Sequence, residues 1–141
     1  MELLRLRGRK ICDGVLRKGI LWKGKHIHAR ILCGAPRRPD TKPHHPALYV
    51  GVIASRKLDK SAVKRNRMRR RCREALRLVL KESADNAPTR VVAQLLLLPR
   101  SSSLTCAFAE LRRDSESLIH FLSRTCPKLQ DQRRDPSSNS R

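Results

Sequence analysis

Acidic residues are scarce in this sequence: 12 Asp and Glu stand against 33 Lys and Arg among 141 residues, and the formal net charge at neutral pH is +21. A compact chain with so one-sided a charge repels itself and attracts polyanions, nucleic acid above all. The acidic residues also form no convincing pair, whereas a metal-dependent nuclease clusters carboxylates around its ions. The sequence therefore predicts an anionic partner and no catalytic or metal-binding residue in the protein itself.

Long apolar runs are lacking as well. The longest, Leu95–Leu98 beside Val91 and Val92, has the length of a strand and falls far short of the roughly 20 residues that a membrane-spanning helix needs. The opening segment 1–10 is rich in arginine, but it contains neither the serine of a transit peptide nor the apolar core of a secretory signal. We therefore expect no membrane partner, no cleavable targeting segment and a cytoplasmic location.

The five cysteines are odd in number, widely spaced and never arranged as Cys-x-x-Cys. Such a pattern is typical of reduced thiols rather than of a disulfide framework. The four histidines nearest Cys33 match no zinc-finger spacing either. Instead, we expect His26 and His28 on the solvent face of a strand, and His44 and His45 in a proline-flanked loop. The cysteines are Cys12, Cys33, Cys72, Cys106 and Cys126.

Hydrophobic periodicity predicts one domain over residues 1–125, followed over 126–141 by a polar, basic tail that we expect to be disordered. The domain has three helical and three strand patterns in the order α-β-β-α-β-α. This order describes an α+β fold, or α/β sandwich, with helices packed on a small mixed sheet. A strand, a long helix and a further strand would ordinarily form a right-handed parallel crossover. The helices are expected at 9–18, 61–81 and after Thr105, and the strands at 25–32, 47–54 and 90–98.

Local signals predict where these elements end. Gly19 follows a basic last turn and ends the first helix. Ser61 and Thr105 precede the other two helices, and their hydroxyls can accept hydrogen bonds from the free amides of a first turn. The proline-rich segment 34–46 is a loop between the first two strands. The inner stripe of the last helix is expected to contain Phe108, Leu111, Leu118, Ile119 and Leu122.

The segment Arg56–Arg77 concentrates the positive charge. It holds eleven basic residues against Asp59 and Glu74, so its 22 residues carry +9 of the formal +21. From Lys64 to Arg73 there are six arginines and one lysine. A guanidinium grips phosphate in a bidentate way that an ammonium cannot, so phosphate is the natural target.

The same segment shows two faces when it is placed on a helix. Arg65 and Arg69 flank an apolar stripe, and Asn66 can both donate and accept hydrogen bonds, which suits it to a base edge or a 2′-hydroxyl. An ordinary solvated face would alternate charge signs, and a nuclear-localisation stretch would need no apolar stripe. The stripe is Met68, Cys72, Ala75, Leu76, Val79 and Leu80, and the opposite arc is Asn66, Arg67, Arg70, Arg71, Arg73, Glu74 and Arg77.

Three motifs in this region closely resemble the signature of the bacterial ribonuclease P protein component. They are Ser55-Arg-Lys57, Ala62-Val-Lys-Arg-Asn-Arg-Met-Arg-Arg70 and Arg73-Glu-Ala75. In that family a strand ending in Ser-Lys-Lys leads into a helix with Arg-Asn-Arg, a basic pair and Arg-Glu-Ala. The resemblance spans residues 5–124 and implies a left-handed crossover at the Arg-Asn-Arg helix, against the right-handed default.

The resemblance also implies a function. The ribonuclease P holoenzyme is an endoribonuclease that removes the 5′ leader from precursor tRNA, and its RNA subunit carries catalysis and most of the bound Mg²⁺. The protein would bind ribonuclease P RNA through the Arg-Asn-Arg helix and the precursor tRNA leader in a cleft beside the first helix, with no DNA partner. The RNA-subunit-binding residues so implied are Lys57, Lys64, Arg65, Asn66, Arg67, Arg69, Arg70 and Arg73.

The leader cleft is where the sequence departs from the family pattern. By spacing back from Gly19, the first-helix positions that are usually aromatic hold Cys12 and Leu16. Aromatic residues are 3% of the chain, and stacking is worth about 1–3 kcal/mol per base, so we expect weaker or more electrostatic leader contact. Trp22 and Tyr49 are the remaining stacking candidates, with core or rim packing as the alternative for each.

Two other functions account for part of the sequence. A ribosomal-type protein would coat structured RNA without any role in cleavage, and only the ordered motif around Arg65 separates the two. A basic-helix DNA-binding factor would continue into a dimerising heptad, which Pro88 interrupts.

Overall fold

Five strands and three α-helices make up the fold in the computed structural model, which describes residues 2–38, 45–82 and 91–126. A 3₁₀ turn, Ser101–Leu104, precedes the last helix. The strands are β1 (Glu2–Arg5), β2 (Ile20–Lys23), β3 (Ile27–Cys33), β4 (Ala47–Val52) and β5 (Val92–Pro99), and the helices are α1 (Arg9–Lys18), α2 (Ala62–Glu82) and α3 (Phe108–Thr125).

The strands form one mixed sheet in the order β1-β4-β5-β3-β2. β4 pairs in parallel with both β1 and β5, whereas β3 pairs antiparallel with both β5 and β2. The mixed sheet and its three helices confirm the predicted α+β class. α2 lies in the chain between the parallel strands β4 and β5. The left-handedness of this crossover connection stays a prediction.

Each face of the sheet carries its own apolar layer. One face, which includes Leu48 and Leu95, packs against α2 and α3. The other, which includes Tyr49 and Leu96, packs against α1. Because helices cover both sides of β5, nearly all of this strand is buried, and its sequence is apolar at every position but Gln94 instead of alternating.

Neither β1 nor β2 is predicted by the sequence, and both are edge strands of four residues. In β1, Leu3 and Leu4 pack on opposite faces of the sheet. β2 leaves Ile20 and Leu21 largely exposed, at 47% and 40%. Four residues offer too few alternations for a period-two pattern, and an exposed edge lacks the apolar run of a central strand.

The first two helices begin and end within one residue of their predicted positions. α1 ends at Gly19, whose N–H donates to the Val15 carbonyl at 2.8 Å, and a Cβ at Gly19 would collide with that oxygen. Before α2, Ser61 Oγ accepts a hydrogen bond from the Lys64 N–H at 3.3 Å. The predicted cap at Ser61 is therefore confirmed.

Thr105 does not cap α3, so that prediction is wrong. The helix begins after Ala107, and no side chain caps its first turn. The Thr105 N–H instead bonds to the Ser102 carbonyl at 3.4 Å, because the preceding 3₁₀ turn extends to this residue. α3 nevertheless buries its predicted stripe: Leu111, Leu118, Ile119 and Leu122 lie in the core, and Phe108 packs against it.

A disulfide joins Cys33 and Cys126, so the prediction of five reduced thiols is wrong. Cys33 ends β3, Cys126 follows α3, and their Cα atoms lie 5.5 Å apart. The two residues are 93 positions apart in the chain, and only the packing of α3 on the sheet brings them together. Spacing alone therefore does not indicate the pair. Cys12, Cys72 and Cys106 are free thiols.

His26 is buried at the turn between β2 and β3, so its predicted place on a solvent face is wrong. Its Nδ1 lies 2.8 Å from Ser102 Oγ and its Nε2 lies 3.2 Å from Glu110 Oε1. The 3₁₀ turn and the start of α3 cover the imidazole, and strand alternation cannot anticipate such a long-range contact. His28 is half-buried, and His45 lies exposed against Glu2.

Residues 39–44, which include His44 and part of the predicted loop, lie outside the described residues. The predicted tail lies outside them from position 127 onward, so the domain boundary after residue 125 stays a prediction. Within the described ranges, no helix has the length and apolar character needed to cross a membrane.

Candidate nucleic-acid interface

The apolar stripe of α2 packs into the protein, as predicted. Met68, Cys72 and Leu76 are buried almost completely, and Cys72 and Leu76 lie in the apolar layer shared with the sheet and α3. Burial raises the pKa of the Cys72 thiol to about 12. Because this stripe fixes the rotation of the helix, the basic residues of α2 divide among three directions: outward to solvent, toward β4, and toward α3.

The outward face of α2 carries exposed polar and basic side chains. Asn66 Oδ1 accepts a hydrogen bond from Arg69 Nη1 at 2.7 Å, which sets the direction of the amide. About two turns further along the helix, Arg77 pairs with Glu74 at an Nε–Oε1 distance of 2.8 Å, so its charge is already balanced. The exposed predicted residues on the outward face are Lys64, Asn66, Arg67 and Arg70.

Two arginines anchor α2 to the strand β4 and the residues that follow it. Arg69 Nη2 donates to the Ala54 carbonyl at 3.1 Å, and Arg73 Nη2 donates to the Val50 carbonyl at 3.3 Å. Burial, and then the nearby charge of Arg5, lower the pKa of Arg73. A guanidinium has five N–H donors, so these bonds fix both side chains and leave further donors for phosphate.

Arg65 shapes the turn that precedes α2. Its Nη1 donates to the carbonyls of Asp59 and Lys60 at 2.9 and 3.1 Å. Asp59 Oδ1 in turn accepts a hydrogen bond from the Ser61 N–H at 2.8 Å. These bonds hold the short segment on which Lys57 is exposed. Arg65 therefore supports the structure in addition to its predicted contact with RNA.

Arg71 does not lie on the outward arc, so that part of the helical placement is wrong. Its Nη2 donates to the carbonyl of Cys106, between the 3₁₀ turn and α3. Position 71 lies on the flank of α2 that faces α3, and the sequence of one helix does not show where a neighbouring helix packs. The charge of Arg71 is thus directed away from the other basic residues.

A groove of about 580 Å³ opens between α2, β4 and the connection from β1 to α1. No acidic side chain of the described residues lines it. Arg5 is a basic lining residue that the sequence does not predict, because only the parallel pairing of β1 with β4 brings it near Arg73. The polar lining includes Arg5, Cys12, Asn66, Arg69, Arg70 and Arg73, and the apolar floor includes Leu6, Gly51, Ile53 and Leu96.

Three of the four leader-cleft candidates lie together on the α1 face of the sheet. Cys12, Leu16 and Tyr49 share the apolar layer between α1 and the strands. Tyr49 is 8% exposed, so its ring packs within that layer. Trp22 packs on the opposite face, with the α2 and α3 layer, so the structure does not bring it to the others. Cys12 also lines the groove and so links this face to the basic face of α2.

A family model described as Ribonuclease P matches residues 2–123. The chain belongs to the ribonuclease P protein family. The matched range contains all five strands, α1, α2 and nearly all of α3. The resemblance of the Arg65-Asn-Arg67 region to this family is thereby confirmed across the described fold.

Sequence similarity to relatives named ribonuclease P protein component also places the chain in this family. The chain is 30% identical over 102 residues to the protein from Rickettsia conorii, covering 68% of this chain and 81% of the relative. It is 37% identical over 70 residues to the one from Synechococcus sp., covering 50% and 48%. With the Rickettsia typhi protein it shares 30% identity over 71 residues, which span 58% of that relative.

Solved structures of ribonuclease P proteins share the fold. The protein from Thermotoga maritima superposes with a TM-score of 0.59 at 18% identity, covering 85% of this chain and 96% of that one. The Staphylococcus aureus protein gives a TM-score of 0.57 at 14% identity, covering 83% and 93%. At these identities the likeness shows a common fold, and the roles of single residues rest on the geometry described above.

Proposed function

We propose that this chain is the protein subunit of ribonuclease P, which binds the catalytic RNA subunit and the 5′ leader of precursor tRNA and so promotes endonucleolytic removal of the leader. The observation that carries this proposal is the arrangement of α2 in a chain of this family. One side of the helix is fixed in the core, while Lys64, Asn66, Arg67 and Arg70 project from the other.

The basic face of α2 supports binding to structured RNA for two physical reasons. Its exposed arginines can neutralise phosphates and release counterions, which gives affinity that falls steeply with salt. Arg69 and Arg73 are already held by main-chain carbonyls, so less side-chain freedom is lost when they meet a phosphate. The face is therefore both charged and preorganised.

The α1 face supports the proposed leader site less strongly. Cys12 and Leu16 provide apolar surface in place of aromatic rings, and the ring of Tyr49 is buried. A base stacked there would gain little of the roughly 1–3 kcal/mol that an aromatic partner supplies. We therefore propose that the leader is held mainly by charge and by its attachment to the rest of the precursor.

Mg²⁺ is proposed to be bound mainly by the RNA subunit. Among the described residues there is no group of three or more His, Cys, Asp or Glu side chains that could hold a metal. The protein's contribution is then to position the substrate and to neutralise charge. Hydrolysis of the phosphodiester belongs to the complex with RNA.

Reconstitution tests the proposal. The full chain is mixed with a bacterial ribonuclease P RNA, and cleavage of a precursor tRNA at its 5′ leader is followed at low Mg²⁺. We expect the protein to raise the rate of cleavage at limiting substrate. An equal concentration of the Arg67→Ala variant should raise it less, and Arg113→Ala, which removes an exposed arginine of α3, serves as the charge-matched control.

The ribosomal-type alternative predicts a different result in the same assay. A protein that only coats structured RNA would bind the ribonuclease P RNA without any gain in cleavage. Binding without stimulation at every Mg²⁺ concentration would therefore contradict the proposed function.

A further inference from the structure

A serine, a histidine and a glutamate meet beside the turn between β2 and β3, outside the basic face of α2. His26 Nδ1 lies 2.8 Å from Ser102 Oγ, and His26 Nε2 lies 3.2 Å from Glu110 Oε1. The imidazole is buried, whereas Ser102 is exposed on the 3₁₀ turn. A serine hydroxyl is activated as a nucleophile when a base lies within hydrogen-bonding reach and a third group orients that base.

The hydrogen bonds assign the protons within this group. Hydrogen bonds from Lys25 and then from His26 lower the pKa of Glu110 to about 2, so its carboxylate is ionised at neutral pH and can only accept. In the neutral imidazole of His26, Nε2 therefore carries the proton and Nδ1 is the acceptor. The Ser102 hydroxyl must then donate to Nδ1, which directs its proton to the base and leaves the lone pairs of Oγ free to attack.

The surrounding backbone and charges support proton transfer to this imidazole. Asp114 Oδ2 accepts a hydrogen bond from the His26 N–H at 2.7 Å, and the Arg100 N–H donates to the His26 carbonyl at 2.9 Å. The carboxylates of Glu110 and Asp114 favour the imidazolium that forms when the serine proton is transferred. The opposing cations, Lys25 and Arg100, are exposed, so water and salt screen their repulsion.

We propose that Ser102 is a nucleophilic serine that takes an acyl group from a small donor with an anionic leaving group, with His26 as its general base. The exposed side chains of Lys25 and Arg100 attract such an anion, of which an acyl phosphate is an example. Oγ forms a bond to the carbonyl carbon, and the bond from that carbon to the leaving oxygen breaks. The serine proton passes to Nδ1 and then to the departing phosphate, so the products are an O-acylserine and phosphate. None of these residues belongs to the basic face of α2, so the reaction is independent of the proposed function.

Labelling of the full chain with a fluorophosphonate tests whether Ser102 is activated. This reagent phosphonylates nucleophilic serines with release of fluoride, and fragment mass spectrometry of the tryptic peptide 101–112 locates the label. Ser101 is exposed on the same turn and serves as the internal control, because the imidazole bonds to Ser102. We expect labelling at least tenfold faster at Ser102 in the folded chain, and equal rates at the two serines in urea. Equal rates in the folded chain would overturn the proposal.

Acetyl phosphate tests the class of the donor. We expect it to acetylate the Ser102 hydroxyl, and Arg100→Gln to slow this reaction several-fold while the neutral fluorophosphonate labels as before. Arg113→Gln, at an exposed position of α3, is the charge-matched control and should change neither rate. Acetylation of the Lys25 amine with Ser102 unmodified would overturn the proposal.

Glu110→Gln separates activation of the serine from placement of the imidazole. The amide oxygen can still accept the Nε2 proton of His26, but it carries no charge to stabilise the imidazolium. We expect about tenfold slower labelling of Ser102, in a chain whose folding is verified by its urea midpoint at neutral pH. Glu116→Gln, at an exposed position of the same helix, should label at the wild-type rate. Equal rates in the two variants would overturn the proposal.

Ser102→Ala distinguishes this reaction from RNA binding. The variant should lose the label on peptide 101–112 and stimulate cleavage of precursor tRNA as well as the wild type does. A label that persists on this peptide would overturn the proposal. A wild-type chain that is labelled at Ser102 but gives no stimulation would contradict the proposed function alone.

Discussion

Asp114 is a buried acidic residue in a very basic protein, and its partners are backbone amides. Its Oδ2 accepts hydrogen bonds from the N–H groups of His26 and Ile27 at 2.7 and 3.1 Å, and its Oδ1 accepts one from Lys25 at 3.2 Å. The carboxylate thus ties α3 to the turn between β2 and β3. Gly24 permits this approach, because a Cβ there would lie 2.9 Å from Asp114 Oδ2.

Replacing Asp114 with Asn should destabilise the fold. The amide presents one oxygen and one NH₂ group to the three N–H donors, so at least one donor loses its partner. Hydrogen bonds to a charged group are worth about 1.5–3 kcal/mol, and we expect the free energy of unfolding, measured with urea, to fall by about that amount. The control is Glu116→Gln, at an exposed position of the same helix. Equal losses in both variants would contradict the role of Asp114.

Ionisation of Glu110 should make the stability of the protein depend on pH in the acidic range. Hydrogen bonds from Lys25 and then from His26 lower the pKa of its carboxyl from 4.5 to about 2. A carboxyl whose pKa is lower in the folded chain stabilises the fold above its unfolded pKa, and this stabilisation is lost as the pH falls through the folded value. The ionised group therefore contributes fully above about pH 4.5 and no longer below about pH 2.

The test for Glu110 compares urea midpoints of the wild-type chain and of Glu110→Gln over that pH range. We expect the wild type to be more stable at neutral pH and the two midpoints to converge as the pH falls from 4.5 toward 2. A difference that stays constant over this range would show that ionisation of Glu110 has no part in stability.

At the scale of the helix, two nearby arginines of α2 should separate folding from RNA binding. Arg69 is bonded to the Ala54 carbonyl and to Asn66, whereas Arg67 is exposed. We expect Arg69→Ala to lower the free energy of unfolding by about 1–2 kcal/mol, and Arg67→Ala to change it by less than about 0.5 kcal/mol. Arg67→Ala should weaken binding to ribonuclease P RNA and reduce its salt slope by about 1. An unchanged slope would count against a phosphate contact at Arg67.

Elements with a repeated apolar pattern are predicted well from this sequence. α1 and α2 have several turns of regular spacing, and their ends agree with the structure to within one residue. β3, β4 and β5 lie within about two residues of their predicted positions. β1 and β2 were not predicted because they are short edge strands that depend on a neighbouring strand. The start of α3 was predicted wrongly because the 3₁₀ turn before this helix extends to Thr105.

The sequence allowed the candidate site to be located on one face of α2. The contacts of that face with other elements could not be predicted. Helical spacing identifies the basic face of α2. It cannot show that Arg71 donates a hydrogen bond to the Cys106 carbonyl near α3, or that Arg69 and Arg73 donate to main-chain carbonyls of β4 and the residues after it. Arg5 joins the site through strand pairing between distant parts of the chain. Trp22 is a sensible stacking candidate in the sequence, but its strand directs it to the other face.

At the scale of the whole molecule, the disulfide between Cys33 and Cys126 encloses most of the fold. Reduction should therefore restore much conformational freedom to the unfolded chain, and we expect the free energy of unfolding to fall by about 2–5 kcal/mol. The measurement is urea unfolding with and without a reductant.

Cys33→Ala is the matched control for the disulfide, since its stability should not respond to the reductant. Alkylation of both Cys33 and Cys126 in the oxidised, unfolded chain would contradict the cross-link. Reducing compartments keep thiols reduced. In such a compartment α3 is held by the burial of residues such as Leu111, Leu118 and Leu122 and by the hydrogen bonds of Asp114, without a covalent link.

The central position of β5 has a consequence for the order in which the chain folds during synthesis. β5 lies between β3 and β4 in the sheet, yet it is the last of the five strands to leave the ribosome. Until it emerges, the β2–β3 hairpin and the β1–β4 pair have no common neighbour, and pairing between distant strands is intrinsically slow. The residues of α2 leave the ribosome before those of β5. The arginine-rich sequence of α2 therefore emerges before the sheet against which this helix packs can be completed.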